Sequence, residues 1–228
     1  MPLKTLMTKI DELLGGGLPE KSTFLLKGPP ASKKESILFQ FLHAGKKSGN
    51  PIAFVATDSS PAEIEKRAIS LGLDLSSTKF VDCYSWALQQ RSSSRPGDII
   101  VPGPSSLNEL SIAISRALSE INKPGVPSRV SFQSLSTLVL YNNPDIVFRF
   151  IQIMGARLKA SGATTLFSIE EGMHEERVFT TLEHITDGTI EFKSENGADF
   201  LRIPRLPAGK PISNWIQFEA TPYGIEIK

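Results

Sequence analysis

Cysteine is almost missing from this sequence. Cys83 is the only one in 228 residues, which excludes an intrachain disulfide and any cysteine-rich zinc site. Histidine is scarce as well, at three residues, and no structural metal site is expected. An excess of one charge is lacking: 25 Lys and Arg face 24 Asp and Glu, for a formal net charge of +1. A globally basic nucleic-acid surface is therefore not signalled, and only a local patch could serve that purpose. No apolar run approaches the ~18 residues of a membrane-spanning helix. The opening MPLKTLMTKIDELL has neither the apolar core nor the small-residue cleavage site of a secretion signal, so a cytoplasmic location is expected.

What is present is an ordinary globular balance, 40% hydrophobic and 21% charged, which argues against a mainly disordered chain. A chain of this length buries roughly 70% of its unfolded surface and needs no covalent staples. No repeat, low-complexity tract or linker divides it, so residues 1–228 are expected to form one domain.

Strand and helix signals alternate along most of the chain. Ser22–Lys27, Ile52–Ala56, Lys79–Asp82, Val130–Phe132 and Ala163–Ile169 read as short apolar strands. Between them, Lys34–Lys47, Pro61–Leu71, Leu107–Ile121 and Pro144–Ala160 read as helices. Leu107, Leu110, Ile114, Leu118 and Ile121 form a helical stripe, and Pro61 sits at a favoured helix entry. Beyond residue 182 helical signals cease: His184–Lys193, Phe200–Pro204, Trp215–Ala220 and Ile225–Lys228 read as strands. The expected fold is α/β, a mostly parallel sheet with helices on both faces and antiparallel C-terminal strands. Tyr84–Pro104, containing QQRSSSR, reads as an exposed loop.

The chemistry-bearing segment is Gly28-Pro29-Pro30-Ala31-Ser32-Lys33-Lys34-Glu35-Ser36. It joins an expected strand to an expected helix, the context of a phosphate-binding loop, G-x-x-x-x-G-K-[ST]. Gly28 and Lys34 match that pattern. Lys33 replaces the second glycine, so a Cβ and a long side chain should crowd the close approach of a phosphate to the backbone. Glu35 replaces the hydroxyl that normally holds Mg²⁺ and sets a carboxylate beside the phosphates. The helix dipole stabilises that carboxylate by roughly 0.3–1 kcal/mol, so Glu35 is expected to occupy the place of the anion.

IDELLGGGLPEKSTFLLKGPP (Ile10–Pro30) resembles the opening of KaiC-like and RadA-like ATPases of the RecA superfamily, with their D-x-x-L-G-G-G-L-P-x-G lead and GPPGTGKT loop. The resemblance extends through QFLHAG (Gln40–Gly45), FVATDSSPAEIEKRAISLGLDL (Phe54–Leu75), SLNELSIAISRAL (Ser106–Leu118), RVSFQSLSTLVLY (Arg129–Tyr141) and FEATPYGIEI (Phe218–Ile227). It implies a RecA-like fold over nearly the whole chain. It also implies catalytic parts that this sequence does not keep. Gln133 stands where the family has a Mg²⁺-holding Asp. Asp58-Ser59 stands where two acidic residues activate water. Arg205, in Arg205-Leu206-Pro207, aligns loosely with a K-x-R element that reaches a neighbouring subunit.

With Lys33 and Glu35 in the loop, these departures imply a pseudo-ATPase with no catalytic residue, no resident cofactor and at most weakly held ATP. The role implied is a regulatory or assembly subunit, a homo-oligomer or a partner of an active paralogue. Three alternatives are an atypical ATPase of DNA recombination or repair, an ATP-independent DNA-binding module, and a signalling protein that senses another anion through Lys33 and Lys34.

Other features read as structural. Glu170, Glu171, Glu175 and Glu176 around His174 read as a solvated acidic loop that would repel DNA phosphates. Arg91 and Arg95 read as solvated loop residues without aromatic stacking partners. His184 reads as part of an E-H-x-x-D-G turn, and Trp215 and Phe218 as core or interface. Ser134 and Ser136 follow the family's SLS and need no nucleophile role.

Overall fold

The computed structural model describes residues 2–5, 7–86, 95–221 and 224–228. The expected strands and helices gather into one ten-stranded sheet. Strand β1 (Thr23–Gly28) lies near its centre, between β6 (Ala163–Glu170) and β7 (Gly188–Glu195), and is parallel to both. Outward from β6 come β5 (Ser128–Phe132), β2 (Ile52–Ala56), β3 (Lys79–Asp82) and the two-residue β4 (Ile99–Ile100), all parallel. Outward from β7 come β8 (Ala198–Arg205), β9 (Ile212–Thr221) and β10 (Gly224–Ile227), paired antiparallel.

Helices cover both faces, and the strands show why. In β1, Leu25 belongs to one core while Phe24 and Leu26 belong to the other, because successive side chains of a strand point to opposite faces. The first core is closed by α4 (Leu107–Ile121), α5 (Leu135–Tyr141), α6 (Pro144–Ala160) and α7 (Glu176–Ile185). The second is closed by α1 (Thr8–Leu13), α2 (Lys34–Lys47) and α3 (Pro61–Ser70), and it extends under the C-terminal strands through Ile203, Phe218 and Ile225.

Three elements depart from the sequence reading. Residues 176–185 form α7, so His184 is an exposed helical residue and the strand begins only at Gly188. The short helices α1 and α5 were not legible, because six or seven residues carry too few turns to show a period. Arg95 is not a free loop cation: it pairs with Glu65 and Asp98 and stacks 4.7 Å from the Phe80 ring. Arg91 lies outside the described residues.

The glycine-rich lead has a steric cause. A Cβ on Gly17 would lie 2.1 Å from the Leu3 carbonyl oxygen, where Leu3 and Leu18 form an antiparallel bridge. Lys21, which stands where the family lead has glycine, nevertheless adopts φ +53°.

Candidate functional site

The carboxyl ends of the parallel strands gather the loop, α2 and the strand-end residues around a cavity of about 450 Å³. Ala31, Ser32, Lys33, Lys34, Glu35, Ser36, Asp58, Gln133 and Glu170 line it, so most of the sequence-identified residues meet here. Ser59 joins them through hydrogen bonds to lining residues.

The loop takes a phosphate-cradle path although its second glycine is gone. Ala31 and Lys33 adopt φ +63° and +55°, in the left-handed region that glycine favours. The Lys33 side chain does not crowd the cradle but leaves sideways and pairs with Asp199 on β8 at 3.2 Å. Gly28 is required: a Cβ there would lie 2.7 Å from the Phe192 Cβ and 3.0 Å from Ser32 Oγ. Within the turn, Ser32 N–H bonds Pro29 O and Ser36 N–H bonds Lys33 O. Among the described residues, no acceptor takes the N–H groups of Lys33, Lys34 and Glu35. Ser32 Oγ is fully buried without a partner.

Lys34 is buried. Its Nζ donates to Glu170 Oε2 at 2.5 Å and to Pro29 O at 3.1 Å. Burial pulls its pKa below the ordinary lysine value, and the Glu170 carboxylate opposes that. Glu170 is therefore not part of the solvated acidic loop. It ends β6, opposite Gly28 in register, and its N–H donates to Ser136 Oγ. Glu171, Glu175 and Glu176 are exposed as expected of a loop surface.

The Glu35 carboxylate does not turn back to the loop amides. Arg67 of α3 grips it twice, Nε to Oε2 at 3.0 Å and Nη2 to Oε1 at 2.9 Å. A bidentate guanidinium outweighs a dipole contribution of roughly 0.3–1 kcal/mol. Gln133 Nε2 also donates to Glu35 Oε1 at 3.1 Å and to Ser59 Oγ at 2.8 Å, and Arg67 Nη2 reaches the same Ser59 Oγ at 2.9 Å. Gln133 Oε1 accepts from the N–H groups of Thr57 at 3.1 Å and Asp58 at 2.9 Å, which sets the orientation of the amide. Asp58 is exposed and accepts from the Thr137 hydroxyl, while Ser134 caps α5 by accepting from Thr137 N–H.

Arg205 is not brought to the site. It lies at the far end of β8, paired in register with Thr189, and donates to the Glu183 carbonyl. Trp215 is half-buried between Lys193 and Arg202, and Phe218 packs edge-on against Phe192.

Arg67 and Glu170 are the site residues that sequence reasoning missed. Nothing in the sequence pairs Arg67 with Glu35, 32 positions away. Glu170 had a signal: it directly follows the expected strand Ala163–Ile169, and ligands gather at the carboxyl ends of parallel strands.

A parallel sheet with this loop at the carboxyl end of a central strand defines a RecA-superfamily domain. A family model described as "ATPase: KaiC" matches residues 3–228, and the chain belongs to that family. A UPF0273 protein from Methanocaldococcus jannaschii is 26% identical over 197 residues, covering 82% of this chain and 78% of that protein. The circadian clock oscillator protein KaiC of Synechococcus elongatus is 28% identical over 233 residues, 99% of this chain but 44% of that protein. The crystal structure of a KaiC-like protein from Pyrococcus horikoshii superposes with a TM-score of 0.81 at 22% identity, covering 100% of this chain and 99% of that one. At that identity the structural likeness carries the fold alone.

The residues present do not fit the divalent cation that an ATPase domain implies. The Gln133 oxygen is committed to two backbone N–H groups, its donor end faces the site, and both Glu35 oxygens are held by Arg67. Two oxygens that would coordinate a metal are thus replaced by a donor and an occupied carboxylate. No helix among the described residues is long and apolar enough to cross a membrane.

Proposed function

We propose that this chain is a KaiC-family protein that does not hydrolyse ATP and acts as a regulatory or assembly subunit, associating with itself or with an active paralogue. The observation that supports this reading best is the direct hydrogen bond from Gln133 to Glu35. These are the two positions that would share a metal in a working site, and here they bind each other. Phosphoryl transfer depends on positioning and on neutralising charge, and the metal does much of both. The exposed Asp58 is left without the second carboxylate of the family pair, since Ser59 is a hydrogen-bond acceptor for Arg67 and Gln133.

One observation favours the second reading, an atypical ATPase: the loop keeps its left-handed turns and its buried Lys34. A DNA-binding module draws less support, because the residues after β6 present exposed Glu171, Glu175 and Glu176.

The deciding measurement is Mg²⁺-dependent release of phosphate from ATP. Purified wild-type protein is expected to give the same background rate as Lys34→Ala. A rate that Lys34→Ala abolishes overturns the reading. Sedimentation of the chain over a range of concentrations, alone and with a RecA-type paralogue, is expected to show association.

A further inference from the structure

We propose that the loop is a phosphate site that works without a divalent cation, with Arg67 cancelling the Glu35 charge and presenting a donor in place of the metal, and Glu170 serving as the internal anion that the ligand displaces. The inference rests on the preceding reading in taking the metal position as lost, and it adds what the site still binds.

Four independent features point to an anion. The N–H groups of Lys33, Lys34 and Glu35 are unclaimed at the start of the 14-residue helix α2, where backbone donors and dipole favour negative charge. Ser32 lines the same cavity, and its hydroxyl is 0% exposed yet has no partner. A buried polar atom left in that state is destabilising unless something bonds to it. Lys34 holds its ammonium on Glu170, an anion already accepted at this spot. Arg67 lines the cavity with its side chain 41% exposed, and its Nη1 finds no partner among the described residues once Nε and Nη2 are spent on Glu35.

The charges decide against a metal and for its replacement. Glu35 would repel a phosphate if left bare. Bound bidentately by Arg67, it becomes a neutral pair whose guanidinium still presents a donor. Glu170 is the group that can yield. It sits at the strand end with its side chain 27% exposed, and the next residue, Glu171, is exposed, so its carboxylate has a short route to water. The ligand class is a phosphate-bearing compound. Inorganic phosphate, pyrophosphate and a nucleoside phosphate share that chemistry, and a cavity of about 450 Å³ admits each of them.

The test is thermal unfolding of the full chain in EDTA with phosphate, pyrophosphate, ADP, ATP or adenosine, repeated with Mg²⁺. The phosphate compounds are expected to raise the midpoint in EDTA, adenosine is not, and Mg²⁺ is expected to add nothing. Equal affinity for pyrophosphate and ADP assigns the phosphates alone, and tighter ADP assigns a nucleotide. Glu170→Gln is expected to tighten binding about tenfold and Ser32→Ala to weaken it about tenfold, the size of a single charge-assisted hydrogen bond.

Glu35→Thr with Gln133→Asp, which rebuilds metal oxygens, is expected to make binding depend on Mg²⁺. No shift in EDTA with any phosphate compound, a wild-type shift seen only with Mg²⁺, or a shift that survives unchanged in both Lys34→Ala and Ser32→Ala overturns the proposal. The ligand-free midpoint of each variant reports whether it folds. Absent binding with absent turnover sinks this inference alone, whereas Mg²⁺-dependent turnover sinks the functional reading.

Discussion

Two lysines occupy backbone conformations that the family pattern reserves for glycine: Lys21 at φ +53° and Lys33 at φ +55°. A non-glycine residue there costs roughly 1–2 kcal/mol, and Lys33 offsets part of it by pairing with Asp199 at 3.2 Å. Lys33→Gly removes the strain but also the ion pair, and it loosens the unfolded chain, so unfolding free energy is expected to stay within about 1 kcal/mol of wild type in a denaturant titration. His43 is a second residue with a determinate state. Its Nδ1 accepts the Asp74 N–H at 2.9 Å, which requires a neutral ring, and burial chiefly lowers its pKa below the ordinary 6.5. The unfolded chain then takes up the proton first. The stability His43 contributes is present above pH 6.5 and lost as the pH falls through its folded value. Denaturant midpoints at pH 7.5 and pH 5.5 are expected to differ less in His43→Gln than in wild type.

At the scale of elements, turns and caps hold the sheet to its helices. Asp187, in the Asp187-Gly188 turn before β7, accepts from Thr23 N–H at 2.8 Å, Thr23 Oγ1 at 2.9 Å and Lys159 Nζ at 2.9 Å, tying β1 and α6 to that turn. Burial alone would raise its pKa, but Lys159 and Thr23 outweigh it and hold the carboxyl below the ordinary 3.8. Its stabilisation is therefore present above pH 3.8 and lost as the pH falls further. Asp187→Asn is expected to cost about 2 kcal/mol at pH 7, as for a hydrogen-bonded charge, and to flatten the acid limb of the stability profile. Gly188 beside it admits no side chain, since a Cβ would lie 2.4 Å from the Phe24 ring. Ser60 and Glu63 form a reciprocal capping box at the start of α3, the helix that carries Arg67. Ser60→Ala is expected to cost about 1 kcal/mol, read as a lower unfolding midpoint.

At the scale of the whole molecule, Arg129 joins parts far apart in sequence. It is 1% exposed and donates to Lys4 O at 2.7 Å, Phe41 O at 3.1 Å and Asn50 Oδ1 at 2.9 Å, with its guanidinium 5.0 Å from the Phe41 ring. Burial pulls its pKa down to about 10. Gly45 makes room for it, because a Cβ there would lie 2.7 Å from the arginine Cδ. Arg129→Ala removes the donor to Lys4 O and Asn50 Oδ1 and leaves a void, and is expected to cost about 3 kcal/mol or more, with the residues before Thr5 becoming open to proteolysis. The metal position is also a property of the whole molecule. Glu35 comes from α2, Arg67 from α3 and Gln133 from the end of β5, so the network that ties the three together exists only once the sheet has assembled.

Periodicity and steric punctuation determined the main elements from the sequence alone. Lys34–Lys47, Leu107–Ile121 and Pro144–Ala160 are helices at the residues their stripes marked, and the central strands follow their apolar runs. The loop was legible because Gly28 and Lys34 sit at a fixed spacing between a strand and a helix. These are local signals, carried by neighbours within a turn or two. The partners of those residues are not local. Lys34 meets Glu170 across 136 positions, Glu35 meets Gln133 across 98, and the direction of the Glu35 carboxylate depends on a guanidinium from another helix. Sequence therefore marked the loop, Asp58 and Gln133 as site residues, but not Arg67 or Glu170. Tertiary structure decided which charges neutralise one another there, because ion pairing depends on distances that only the assembled sheet sets.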